Sequence, residues 1–122
     1  MTVDTLIRRQ RRYIERMYTD RFSLSRVVEI TEPWGETRHE RQVIYQDQPC
    51  RISQRALGTN NQGEPANDIV YETKLFCSPG LRIQQGDEIT VTRAGETRAY
   101  IAGEPFLYLT HQEVSLQRRE RA

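Results

Sequence analysis

The apolar positions of this chain change period once. Over residues 4–18, "DTLIRRQRRYIERMY", Leu6, Ile7, Tyr13, Ile14, Met17 and Tyr18 recur at helical spacing and make one apolar stripe. Asp4 or Thr5 can cap such a helix. A helix of this length is marginal alone, so it must dock on its own sheet or on a neighbour. After residue 20 the period becomes two. In "FSLSRVVEIT" (22–31) Phe22, Leu24, Val28 and Ile30 share a face, with Arg26 as the exception. "EPWG" (32–35) suits a type I turn, and the chain returns as "TRHERQVIYQ" (37–46). "DQP" breaks it and "CRISQ" (50–54) resumes. "DIVYETKLFC" (68–77) places Ile69, Tyr71, Thr73, Leu75 and Cys77 on one face. "SPG" (78–80) fits a type II turn with Gly80 at positive φ, and Gly86 and Asp87 supply the next turn. Ile89 and Val91 alternate with Thr90 and Thr92, "AGE" turns the chain, and "TRAYIA", "FLYL" and "EVSLQR" follow. Seven or eight short strands at regular spacing predict a mainly β fold. The expectation is a small antiparallel β-barrel or sandwich of about seven strands with one N-terminal α-helix. It is a single domain over 1–122, with the helix in 1–20, the barrel in 21–118 and a basic tail in 119–122.

Composition narrows this picture. A domain of 122 residues can bury roughly two-thirds of its unfolded surface, so it can fold without disulfides or metal. Net charge is +1, which gives no global electrostatic case for nucleic acid. Of eighteen Lys and Arg residues only Lys74 is a lysine. Arginine keeps its charge and forks onto carboxylates and phosphates, so this bias hints at interfaces as well as at genome composition. No secretory apolar region and no bilayer-length apolar run is present, which is expected of a protein made in the cytoplasm and not exported. Cys50 and Cys77 are too few for a disulfide framework and read as buried free thiols.

Catalytic constellations are not legible. His39 and His111 have no Cys or carboxylate at ligand spacing, so neither a metal nor a cofactor is expected, and no enzymatic activity. The longest aperiodic stretch is "ALGTNNQGEPAN" (56–67). It is polar and lacks the lysine and following helix of a phosphate loop. Two basic clusters remain: "RRQRR" (8–12, with Arg16 beyond) and "RRER" (118–121). They are either solvated faces or contacts to phosphates or an acidic protein surface. The candidate interface residues are Arg8, Arg9, Arg12, Arg16, Trp34, Arg118, Arg119 and Arg121.

In the order of its elements the chain resembles the head-closure (stopper) proteins of tailed bacteriophages and prophage-like elements. The residues that carry the likeness are "LFCSPGLRIQQGDEITVT", "GEPFLY" (103–108) and "HQEVSLQRR" (111–119), with the short helix leading into "YTDRFSLSRVVE". The resemblance implies a small barrel that assembles with itself in a ring, usually a hexamer, in the neck of the virion. That ring would sit between the portal–adaptor complex and a tail terminator or tail tube protein, closing the channel on packaged double-stranded DNA. Assembly would take place in the host cytoplasm, with no membrane involved. By position, the loop that projects into the channel is Gly58, Thr59, Asn60, Asn61, Gln62, Gly63 and Glu64. Their lack of Lys and Arg suits a surface that must release the DNA backbone. Two alternatives stay open. One is another neck or tail ring component such as a tail terminator. The other is a single-stranded nucleic-acid-binding small barrel that uses Arg and Tyr for grip and stacking.

Overall fold

The computed structural model describes residues 2–57 and 69–119. The helix α1 runs Val3–Glu15 and is capped by Thr2, whose hydroxyl and carbonyl both accept from the Thr5 N–H at 3.3 and 3.1 Å. Asp4, expected as a cap, lies inside the first turn, where its negative charge complements the positive end of the helix dipole. The helix stops short of residue 18. Met17 and Tyr18 donate to Ile14 and Glu15, and these tighter bonds close the last turn.

Six strands follow: β1 Asp20–Thr31, β2 Thr37–Leu57, β3 Val70–Cys77, β4 Glu88–Arg93, β5 Glu96–Leu107 and β6 Gln112–Arg118. They close antiparallel in the order β1-β2-β3-β6-β5-β4, so the sheet is a barrel and not a sandwich. The barrel is strongly staggered. Arg21 faces Thr92, which faces Thr97 near the start of β5. In the other direction Asp20 faces Cys50; beside it Arg51 faces Phe76, Phe76 faces Glu113, and Glu113 faces Phe106 near the end of β5. That offset is the shear a small closed barrel needs.

The predicted alternation fills the interior. Phe22, Leu24, Cys50, Leu75, Cys77, Ile89, Val91, Tyr100, Ala102, Val114 and Leu116 form one buried cluster, with Ile83 closing it from the β3–β4 connection. Cys50 and Cys77 are free and buried. Burial is the chief cause that raises both thiols, Cys77 to about 12. Tyr18 lies near enough to feel both thiols, and its phenol is pushed up to about 12, first by burial and then by the nearby Cys77.

Three expectations change. The break read at "DQP" is a bulge inside β2. Asp47 takes a φ of 53°, its N–H bonds Ser23 Oγ at 3.1 Å, and the strand continues through Pro49. "TRAYIA" and "FLYL" likewise share β5, which bulges between Ala102 and Pro105. Glycine suits the close approach there: a Cβ at Gly103 would stand 3.1 Å from Ser115 O, and the β6 backbone would have to give way to admit it. These two mergers reduce seven or eight strands to six. The "SPG" turn also differs. Leu81 N–H reaches Ser78 O, but Gly80 does not take a positive φ, so the turn is not type II. The buried amide of Gln112 sets its shape, donating to both Ser78 O and Leu81 O at 2.7 Å.

Candidate assembly surfaces

Three surfaces stand out once the barrel is closed. The first is an arm. β4 accompanies β1 only as far as Ser25, and β3 meets β2 only from Arg51 onward. Beyond those points β1 and β2 pair with each other alone, out to a tip at "EPWG". Gly35 N–H bonds Glu32 O at 2.9 Å, as the type I turn requires, and Trp34 at the tip is 72 % exposed. Its indole N–H donates to Glu36 Oε2 at 3.0 Å. The base of the arm is fixed by charge. Arg26, a charged residue on the inner stripe of β1 beyond Phe22 and Leu24, forks onto the buried Asp87 carboxylate at 2.8 and 2.9 Å and also bonds Arg82 O at 3.1 Å. Asp87 in turn accepts from Gln84 N–H at 2.8 Å, while its own carbonyl takes Ala102 N–H at 2.8 Å. Arg41 and Arg119 both reach Glu88 Oε1 at 2.9 Å.

The second surface joins α1 to the β5–β6 turn. No residue of α1 is buried. Arg11 Nε donates to Leu109 O at 2.9 Å, and a hollow of about 430 Å³ lies between helix and turn, lined by Arg9, Gln10, Tyr13, Ile14 and Thr110. The turn itself is apolar and exposed at Phe106, Leu107, Tyr108 and Leu109. Tyr108 stacks on His111 with ring centroids 4.6 Å apart and lies 5.0 Å from Phe106. Arg8, Arg9, Arg12 and Arg16 form none of the ion pairs found among the described residues. The helix thus presents uncompensated positive charge beside apolar surface.

The third is a barrel mouth where β2 ends and β4 turns into β5. A cavity of about 560 Å³ opens there, lined in part by Ile52, Gln54, Thr73, Arg93, Arg98 and Tyr100. Beside it the buried Asp20 carboxylate accepts Ile52 N–H at 2.9 Å and lies 3.7 Å from Arg93 Nη1, which also donates to Ile52 O at 3.1 Å. This arrangement neutralises a buried acid and ties three strands; it pairs no nucleophile with a base.

Of the residues picked out by sequence, the structure places Arg8, Arg9, Arg12 and Arg16 on the second surface and Trp34 on the first. Arg118 lies at the end of β6 opposite Tyr100. Arg119 belongs to the ionic base of the arm, with its N–H on Ala99 O at 3.0 Å, and is not a free tail. The basic clusters therefore do not act as one patch. Gly58, Thr59, Asn60, Asn61, Gln62, Gly63, Glu64 and Arg121 lie outside the described residues. Sequence reasoning missed the exposed turn 106–109. Its signal was four consecutive apolar residues with no alternation, which a half-buried strand would not show. Among the described residues no group of three or more His, Cys, Asp or Glu stands where it could hold a metal ion.

No protein-family model matches the chain, and no curated protein does. Among solved structures, the chain is similar to the phage-like element PBSX protein xkdH from Bacillus subtilis. The TM-score is 0.50 at 15 % sequence identity, over 80 % of this chain and 91 % of that one. At that identity the likeness is one of fold.

Proposed function

We propose that this chain is a structural virion protein of a phage or phage-like element, acting in the neck as a head-closure (stopper) ring. The observation that carries this reading is the fold shared with a protein of the phage-like element PBSX over 80 % of this chain and 91 % of that one. The surfaces support it. A ring subunit needs a rigid body, and the closed barrel supplies one. It also needs exposed contacts for neighbours, and the arm and the α1 surface offer two. In this role the chain holds and docks and performs no reaction. Its partners are copies of itself, a portal–adaptor protein, a tail terminator or tail tube protein, and the packaged double-stranded DNA.

Native mass spectrometry of the chain, alone and mixed with neck and tail proteins encoded by the same genome, tests this. A ring-sized assembly with those proteins is expected. A chain that ignores all of them overturns the reading. The DNA-facing residues, by the resemblance, are 58–64. Their deletion is expected to leave assembly intact while DNA retention in particles fails, and normal retention would remove that assignment.

One observation favours a second reading, a single-stranded nucleic-acid-binding barrel. The exposed rings of Phe106 and Tyr108, backed by the half-buried His111, lie beside an arginine-rich helix, as stacking platforms do. That reading predicts oligonucleotide binding that weakens steeply with salt.

A further inference from the structure

The arm leaves two sheet edges open. Between Ser25↔Val43 and Thr31↔Thr37 the β1–β2 register is unbroken. The bulge at Asp47 and the proline at 49 lie nearer the barrel. The outer half of the arm therefore has neither bulge nor proline along its edges; charge at Glu29, Arg38, Glu40 and Arg41 is what guards it, and a partner edge has to match that charge, while "VVEIT" is rich in strand-forming residues. A two-stranded ribbon is also marginal in water and gains stability from a third strand.

The side chains say which strand. Residues 25, 27, 29 and 31 share the outer face of the arm with residues 37, 39, 41 and 43. Val27 is 56 % exposed and Val43 is 65 % exposed. Neither has an apolar partner across its own ribbon, since Val27 faces Arg41 and Val43 faces Ser25. The two valines lie on opposite strands, so each borders a different open edge.

We infer that the arm is a self-assembly device: the β1 edge of one copy adds antiparallel to the β2 edge of the next, with Val27 opposite Val43. This register covers both valines at once. It also sets Glu29 opposite Arg41 and Thr31 opposite His39. Arg41 bonds Glu88 through Nη2 and keeps donors for a second carboxylate. On the inner face Val28 meets Gln42, and Ile30 meets the aliphatic stem of Glu40. A symmetric pairing of like edges does less, because β1 on β1 covers only Val27 and leaves the β2 edge open. Pairing unlike edges is head-to-tail, and repetition closes a ring when the rotation per copy permits. The inference deepens the ring reading above and rests on it only for what the ring is used for.

Two full-length variants test it, Val27→Cys and Val43→Cys. Both substitutions are at exposed positions, and the two native thiols are buried. Each protein is oxidised alone and as an equimolar mixture at high protein concentration, and products are read on non-reducing gels. The expected result is a disulfide-linked dimer in the mixture and none in either protein alone. Dimers from single variants at the same yield overturn the head-to-tail register, and so does the absence of product in the mixture. Val27→Lys gives a second readout. It is expected to lose self-association by native mass spectrometry while its far-ultraviolet circular dichroism is unchanged. A ring that still forms with neck proteins when Val27 is lysine overturns the arm contact and leaves the neck reading standing.

Discussion

Individual side chains in this barrel do more to fix its shape than to expose chemistry. Arg26 is the clearest case. On the sequence it is the exception in an apolar stripe; in the fold it is the counter-charge of a buried acid. Removing it leaves the Asp87 carboxylate buried without its cation, so Arg26→Ala is expected to cost about 3 kcal/mol in urea unfolding. Ala94 is the opposite case. It takes a φ of 51° in the two-residue turn between β4 and β5, a conformation that asparagine or glycine adopts more readily. Ala94→Asn is expected to raise stability by about 1 kcal/mol. Tyr18 Oη is the one buried side-chain polar atom without a partner among the described residues. Tyr18→Phe is expected to be neutral or stabilising by about 1 kcal/mol, and a clear loss would show that the hydroxyl has a role. The same region sets an alkaline limit. Tyr18, Cys50 and Cys77 all hold their protons more tightly when folded, so the unfolded chain releases them first as pH rises. The stability they contribute is complete below about pH 9, where unfolded thiols begin to ionise, and falls through about pH 12. Unfolding free energies measured between those limits should fall in this way, and Cys77→Ala should flatten the decline.

At the scale of elements, the alternation of apolar residues was legible because a barrel has one inside. Phe22 with Leu24, Ile89 with Val91, and Leu75 with Cys77 all point inward as their spacing says. The errors came where one residue type serves two structures. "DQP" carries turn chemistry, yet Asp47 spends its positive φ on a bulge, and Pro49 sits where β2 has no β3 partner to bond. Gly80 could have made a type II turn, but a side chain from thirty-two positions later, Gln112, fixes that backbone instead. The arm was not legible at all. Val28 and Ile30 continue the stripe of Phe22 and Leu24 without interruption, and nothing in the sequence marks where β4 stops accompanying β1. The candidate site shared that fate. The helical arginines could be named, but their neighbour, the turn 106–109, is set by the stagger that carries the end of β5 back beside the start of β1. Gly103 belongs to the same scale. Gly103→Val is expected to destabilise by more than about 1 kcal/mol, because β5 and β6 would have to separate at the bulge; thermal unfolding reads it directly.

For the whole molecule, the contrast is between a closed body and open appendages. The barrel buries its core and satisfies Asp20, Asp87 and Gln112, whereas the arm and α1 leave apolar and charged groups uncovered. Such a distribution suits a subunit completed by neighbours. Trp34 is the only tryptophan and sits at the arm tip. Its emission is expected to be that of solvent-exposed indole in the free chain and to shift to the blue on assembly. An unchanged spectrum in an assembled ring would take the tip out of the contact. The arrangement of β1 has a mechanical consequence as well. The chain enters the barrel through Asp20, with β2 on one side and β4 on the other, both antiparallel. A pull on α1 acts along β1, so it loads the backbone bonds of both neighbours together and in shear, and cannot peel them one at a time. A subunit gripped by its helix would yield at the helix, or let go of its partner, before its barrel opened.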